Sequence, residues 1–237
     1  MSHVRDVLRS LLFYPVFYVG SITHVVSATV MMFVKPAMVP AIVLKWSAFH
    51  RRCASNILGI RVVVEGTLPT SDVLMAMKHE SFFEAIDAPN LIPKCGVIAK
   101  AELLRIPLWG KAGQHYGLIG VERDQGAKAL RTMLTEARKV IAAGRVLVIF
   151  PEGTRVPHGS RAPLAAGFAG LYKMLKLPVV PVAIDSGALY HRRWKRAGTI
   201  TIRVGEPIPA GLPREDIEAR VQDAINALNP IDGLTPR

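Results

Sequence analysis

Residues 11–34, LLFYPVFYVGSITHVVSATVMMFV, contain no Asp, Glu, Lys or Arg. No other stretch limits the architecture of the chain so strongly. As a helix rising about 1.5 Å per residue, this run exceeds the roughly 30 Å hydrocarbon core of a bilayer. Pro15 and Gly20 disturb its first half, and proline can kink a helix. A second apolar piece, residues 36–49, is interrupted by Pro40 and Lys45 and is short for a span. A cleaved signal peptide fits poorly, because the run is long and no small-residue cleavage site clearly follows it. A single span, a buried helix of a soluble core, and a hairpin of two helices dipped into one leaflet stay open. The hairpin would hold Arg5, Arg9, Lys35, Lys45, Arg51 and Arg52 at the headgroup level. Positive residues flank both sides, so charge does not set the topology. The expectation is a membrane-anchoring helical segment over residues 1–58.

Charge narrows the partners. Lys and Arg number 30 against 18 Asp and Glu, a net charge of +12. Such a surplus favours nucleic acid or an anionic membrane with its phosphate-bearing lipids. The long apolar N-terminus argues for the membrane and against nucleic acid. Basic residues also cluster at Arg192, Arg193, Lys195 and Arg196 around Trp194. That cluster suits an anionic membrane surface, an acidic carrier protein or plain solvent. The two cysteines, Cys53 and Cys95, have no CxxC spacing. A disulfide framework or thiolate zinc site is therefore not expected.

After Gly59 the pattern changes to short apolar runs separated by amphipathic segments. Strands are predicted at residues 60–64, 73–77, 95–99, 146–150, 179–184 and 199–204. The run VLVIF at 146–150 is continuously apolar, as expected of a strand buried on both faces. Leu130, Met133, Leu134, Ala137, Val140 and Ile141 share helical spacing across residues 127–143, with Gly144 placed as a C-terminal cap. A further helix follows Pro213, with Ile217, Val221, Ala224, Ile225 and Leu228 on one face. Strands alternating with helices predict an α/β domain, a mainly parallel sheet flanked by helices. One such domain over residues 59–237 suits the length.

Two polar constellations follow predicted strands, where open α/β sheets place their ligands. The first is Lys78-His79-Glu80-Ser81-Phe82-Phe83-Glu84. A histidine can take a hydroxyl proton near neutral pH, and a carboxylate can hold its tautomer. Five residues apart in one helix, the two side chains would diverge by about 140°. The pair therefore requires His79 to precede a helix whose first turns carry Glu84. Ser81 would cap that helix. The second constellation is Phe150-Pro151-Glu152-Gly153-Thr154-Arg155. Here Gly153 allows close backbone approach, and Arg155 offers a fork of donors for phosphate. Either constellation alone is more often structural than functional. The chain has no G-x-S-x-G elbow, no HExxH, no P-loop and no GxGxxG.

Taken in order, however, these segments resemble the glycerolipid acyltransferase family. His-x4-acid is followed by Lys100-Ala-Glu102-Leu103 with Ile106-Pro107, by a block ending Gly120-Val-Glu-Arg123, by FPEGTR, and by Val179-Val-Pro181-Val-Ala-Ile184. FPEGTR is the most specific of them. The resemblance implies a catalytic pair of His79 and Glu84. It also implies a substrate-binding set of Lys100, Arg123, Glu152, Gly153, Thr154, Arg155 and Pro181. Its chemistry would be transfer of an acyl group from acyl-CoA or acyl carrier protein to lysophosphatidic acid, giving phosphatidic acid, with no metal or bound redox cofactor. Another lyso-lipid, such as a lyso-ornithine lipid, would need similar chemistry, and a non-catalytic lipid-binding protein could keep the same fold. Compact length and the apolar N-terminus resemble bacterial members, which implies an inner membrane with the catalytic domain on its cytoplasmic side. The family usually has Asp where this chain has Glu84. The spacing from His79 favours Glu84 over Asp87 as the partner. Lys78 stands where Asn is frequent and reads as added positive charge.

Overall fold

A computed structural model describes residues 2–122 and 125–229. The uncharged run lies within one helix, α1 (Ser2–Val34), with Pro15 inside it. The helix stops at Lys35, and a short 3₁₀ turn over Pro36–Met38 leads into α2 (Val39–Cys53). Pro40 sits in the first turn of α2, where a missing backbone N–H leaves no bond unmade. It starts this helix rather than interrupting it. α2 runs back along α1: Ala28 packs with Val39, the Trp46 indole donates to Ser21 Oγ at 2.9 Å, and Phe17 meets His50. The Phe49 ring lies directly on Gly20, where a Cβ would come within 2.3 Å of it. Glycine is needed there for that close approach.

Behind this hairpin stands a seven-stranded sheet in the order β1-β7-β6-β2-β5-β3-β4. Its strands are β1 (Ile60–Glu65), β2 (Leu74–Met77), β3 (Cys95–Lys100), β4 (Leu118–Val121), β5 (Val146–Ile149), β6 (Val179–Ile184) and β7 (Gly198–Val204). Every pairing is parallel except β6 with β7. The sheet is thus mainly parallel, as the pattern predicted. β2, β5 and β6 are buried along their whole length, which is why their sequences read as unbroken apolar runs.

Alternation assigns each strand residue to a face. Met75, Met77, Val148, Val180 and Val182 point toward Phe13 and Phe17 of α1 and toward Phe83 of α3 (Phe82–Leu91). On the opposite face, Leu74, Ala76, Leu147 and Ile149 meet α6 (Gly126–Ala142), α7 (Ala166–Leu175) and α9 (Arg214–Ile225). Between them in the chain lie the shorter α4 (Ala101–Leu104), α5 (Trp109–Tyr116) and α8 (Gly187–Tyr190). Gly144 adopts φ +66° just past α6, the left-handed conformation expected of its cap.

α1 has two unlike sides. Ser10, Phe13, Phe17 and Ala28 are buried, and Phe13 and Phe17 share one core cluster with the sheet. Burial of a phenylalanine stabilises by about 1.5–3 kcal/mol, so this face binds the helix to the body. On the outer side Val4, Leu8, Leu11, Leu12, Val16, Val19, Ile22, Val26, Val30 and Phe33 are exposed at helical spacing. The stretch His3–Val34 is long and apolar enough to cross a membrane, with a mean hydropathy of 1.6.

Candidate active site

The C-terminal ends of β2 and β5 deliver the two constellations to one place. Lys78, His79 and Glu80 extend from β2, and Ser81 caps α3. The Ser81 hydroxyl accepts from the Phe83 N–H at 3.0 Å, while the Glu84 carboxylate accepts from the Ser81 N–H at 2.6 Å. This reciprocal capping box is built for a glutamate at the third helical position. It gives a local reason for Glu84 where the family usually has Asp. The same Glu84 Oε1 accepts from the Glu80 N–H at 2.6 Å and lies 3.0 Å from His79 Nδ1. Its other oxygen accepts from Ser186 Oγ at 2.6 Å and Ser81 Oγ at 3.0 Å.

Burial alone would push the Glu84 carboxyl up. The hydrogen bond and charge of His79, with the bonds from Ser186 and Ser81, outweigh it and hold the group below the ordinary carboxylate range. With Glu84 ionised, His79 Nδ1 is the donor of this pair, and the lone pair of the neutral ring falls on Nε2. The ring is further fixed by stacking on Phe150, with centroids 4.3 Å apart. His79 keeps 16% of its side chain exposed and lines a cavity of about 460 Å³. Asp87, the alternative partner, is turned away and bound bidentately by Arg51 of α2.

That cavity joins a polar mouth to an apolar interior. Gly153, Thr154, Arg155 and Lys100 line it with His79. Thr154, Arg155 and Lys100 are exposed. The Arg155 guanidinium lies 4.1 Å from the centre of the Phe82 ring, and no carboxylate is paired with it among the described residues. Beyond the mouth, the walls come from α3, β3 and α5 and from the N-terminal hairpin, including His24, Val25, Ala28 and Trp46. The two neighbouring phenylalanines divide: Phe83 is a core residue, and Phe82 is 53% exposed at the cavity.

Two residues of the expected substrate-binding set lie elsewhere. Glu152 does not line the cavity; its Oε1 accepts from the Lys78 ammonium at 2.6 Å inside the protein. Burial raises its carboxyl above the ordinary range, with the Lys78 bond and charge acting against that rise. Pro181 is buried within β6, also away from the cavity. The Pro181 carbonyl accepts from Gly205 N–H at 2.8 Å, so its missing donor faces the β7 side. The ladder with β7 runs from Val182 to Ile184 and ends at Pro181, which has no N–H to return to Gly205. Arg123 lies outside the described residues.

The sequence reads Lys78 as added positive charge and Arg51 as a headgroup-level cation, and assigns no role to Ser186 or Glu80; the structure departs from it at all four. Lys78 is not surface charge: it is 0% exposed. Ser186 supports Glu84 from just past the end of β6, the strand next to β2. Glu80, equally buried, binds His158 Nδ1 at 3.1 Å and accepts from the Gly187 N–H at 2.8 Å. Its carboxyl is raised by burial against the opposing Gly187 and His158 contacts. Arg51 neutralises Asp87. A serine just past the end of an α/β strand was the one available signal, at Ser186.

A family model described as Acyltransferase matches residues 59–185. The chain is 29% identical over 219 residues to a 1-acyl-sn-glycerol-3-phosphate acyltransferase of Pseudomonas aeruginosa, covering 89% of this chain and 84% of that one. To the human protein named 1-acyl-sn-glycerol-3-phosphate acyltransferase alpha it is 30% identical over 169 residues, 68% of this chain and 60% of the relative. The chain thus spans less than two thirds of that human relative. A crystal structure of the 1-acyl-sn-glycerophosphate (LPA) acyltransferase from Thermotoga maritima shares the fold, with a TM-score of 0.72 at 21% identity and full coverage of both chains, 100% each.

Proposed function

The chain belongs to the acyltransferase family, and from that premise we propose that it moves an acyl group from a thioester to the free hydroxyl of lysophosphatidic acid at a membrane surface. One observation carries this reading. One cavity has at its mouth His79, backed by the buried Glu84 carboxylate, and Arg155, which has no carboxylate partner among the described residues, with an apolar interior behind them. A lysophospholipid and an acyl donor both combine a polar, phosphate-bearing part with a long apolar chain.

In the proposed reaction, His79 Nε2 takes the proton of the acceptor hydroxyl as its oxygen attacks the thioester carbonyl carbon. A C–O bond forms, and the tetrahedral centre then collapses with cleavage of the C–S bond. The imidazolium returns its proton to the departing thiolate. Glu84 holds the ring and stabilises its cation between the two transfers. Gly153, Thr154 and Arg155 hold the acceptor phosphate at the mouth, with Lys100 beside them. Arg123 is assigned to the same phosphate on the family resemblance alone. Acyl-CoA and acyl carrier protein both supply the required thioester.

Membrane attachment belongs to this proposal. The inner face of α1 is taken up by the body: Tyr14 OH donates to the Arg193 carbonyl at 2.6 Å, and Ser10 Oγ accepts from Lys195 N at 2.8 Å. Lipid can therefore cover only the outer stripe, which favours a hairpin lying in one leaflet over a free span. The catalytic part then faces the headgroups, on the cytoplasmic side of a bacterial inner membrane.

The test is acyl transfer by purified protein in mixed micelles, with lysophosphatidic acid among a panel of lyso-lipid acceptors and with both donor types. His79→Ala is expected to lower kcat by about 10²–10⁴-fold. Near-normal turnover in that variant would remove His79 from the chemistry.

A further inference from the structure

Lys78 is an unusual place to keep a charge. All three donors of its ammonium are satisfied inside the protein: Glu152 Oε1 at 2.6 Å, Asn226 Oδ1 at 2.8 Å and the Ser160 carbonyl at 3.1 Å. The partners come from three separate segments. Glu152 belongs to the turn after β5, Ser160 to the loop that follows it, and Asn226 caps the end of α9. Asn226 is itself fixed, donating to the Gln222 carbonyl at 2.7 Å and accepting from Asn229 Nδ2 at 3.1 Å.

Stability does not explain this arrangement. A buried ion pair commonly contributes no more than well-packed apolar side chains of the same volume would. What apolar side chains cannot supply is direction, and here the directed bonds converge on the reacting centre. The carboxylate that holds Lys78 also has its second oxygen 3.5 Å from the His79 N–H. Glu152 is followed directly by Gly153, Thr154 and Arg155. The His79 carbonyl in turn accepts from Val156 N–H at 2.8 Å, on the far side of the same turn. One ammonium thus ties the residue before the base to the residue before the anion-binding turn. None of Lys78, Glu152 and Asn226 lines the cavity.

We propose that Lys78 is a positioning residue for acyl transfer, holding His79 and the Gly153–Arg155 turn at a fixed separation through Glu152 and anchoring both to the end of α9. The proposal rests on the reading above, in which His79 is the base and the turn holds the acceptor phosphate. Its consequence is a particular kinetic signature. Moving the turn relative to the base weakens acceptor binding and misaligns the attack, while the apolar walls from α3, β3, α5 and the hairpin, which the proposal gives to the donor chain, are untouched.

The experiment measures kcat, acceptor KM and donor KM for Lys78→Met and Asn226→Ala. It is run in micelles at a temperature where circular dichroism shows each variant folded. Lys78→Met is expected to lose about 10²-fold in kcat, the scale of a misplacement near 1 Å, with acceptor KM raised and donor KM unchanged. Asn226→Ala, which removes the bond to Lys78 together with those to Gln222 and Asn229, all away from the cavity, is expected to show the same split at about tenfold. It decides the matter alone if Lys78→Met fails to fold. Folded variants with kcat and acceptor KM within about twofold of the parent overturn the proposal. So does a fall in kcat that follows the folded fraction with both KM values unchanged. A His79→Ala control separates the two levels. If that variant stays active, the underlying mechanism fails. If it is inactive while the Lys78 and Asn226 variants behave as the parent, only the positioning role fails.

Discussion

Ser186→Ala removes a hydrogen bond to the carboxylate that orients His79, together with the 2.7 Å contact between the Ser186 and Ser81 hydroxyls. The serine is fully buried, and the substitution removes only its oxygen, so little repacking follows. The lost bond, 2.6 Å from Oγ to Glu84 Oε2, has an ionised acceptor. Such bonds contribute about 1.5–3 kcal/mol. For a domain of this size each kcal/mol moves Tm by about 2–4 °C, so a fall of about 3–12 °C is expected near neutral pH. The pH dependence follows from the direction of the Glu84 shift. Its carboxyl titrates below the ordinary value of 4.5 in the folded protein. The stability it contributes is therefore fully present above that value and is lost as pH falls through the lower, folded one. The Ser186 bond serves the ionised form, so the deficit should be full at about pH 7 and shrink in strongly acidic buffer. Turnover should fall by about tenfold, equivalent to roughly 1.4 kcal/mol of misorientation at His79. Thermal melts of parent and variant across this pH range, in one detergent, together with kcat, make the measurement. A deficit that stays constant as pH falls would mean that Ser186 acts by packing alone, and undiminished turnover would separate it from the catalytic pair.

Arg51→Met should cost about 3–5 kcal/mol, because it leaves the Asp87 carboxylate buried without its cation. Arg51→Met/Asp87→Leu should regain most of that stability and keep acyl transfer, which a denaturant titration and a turnover assay would check; inactivity of the folded double variant would return Asp87 to the chemistry. Arg155→Ala should raise acceptor KM by about tenfold or more with donor KM unchanged, since a charge-assisted contact to phosphate is lost. A change in donor KM alone would move Arg155 to the thioester side of the cavity.

The sheet was legible because buried parallel strands leave an unmistakable trace. VLVIF and VVPVAI are apolar on both faces, and their neighbours in sequence are polar turns. β4 left no such trace: it is a four-residue edge strand containing Gly120, and its residues read as part of a motif. Pro40 misled in the opposite way, because a proline that opens a helix looks the same in sequence as one that breaks it. At the site, His79 and Glu84 were legible as a pair because the helix begins between them, at Ser81. Lys78 was not. Its partners lie 74, 82 and 148 residues away, and nothing in local sequence distinguishes a lysine held by three distant acceptors from one in water. Glu80–His158 and Glu84–Ser186 were hidden for the same reason, at separations of 78 and 102 residues. Pro181 shows the converse: a characteristic motif residue whose place is the sheet rather than the cavity.

The N-terminal hairpin has a practical consequence for anyone wishing to handle the protein without detergent. Cutting the chain near residue 58 would not release an intact soluble enzyme. It would strip Phe13 and Phe17 from the sheet's own core, and remove the wall that His24, Ala28 and Trp46 give to the cavity. The outer stripe, by contrast, is largely exposed and belongs to none of the core clusters. Polar substitutions at Leu8, Leu12, Val19 and Val26 offer a route to a water-soluble form in which the fold and the cavity stay whole.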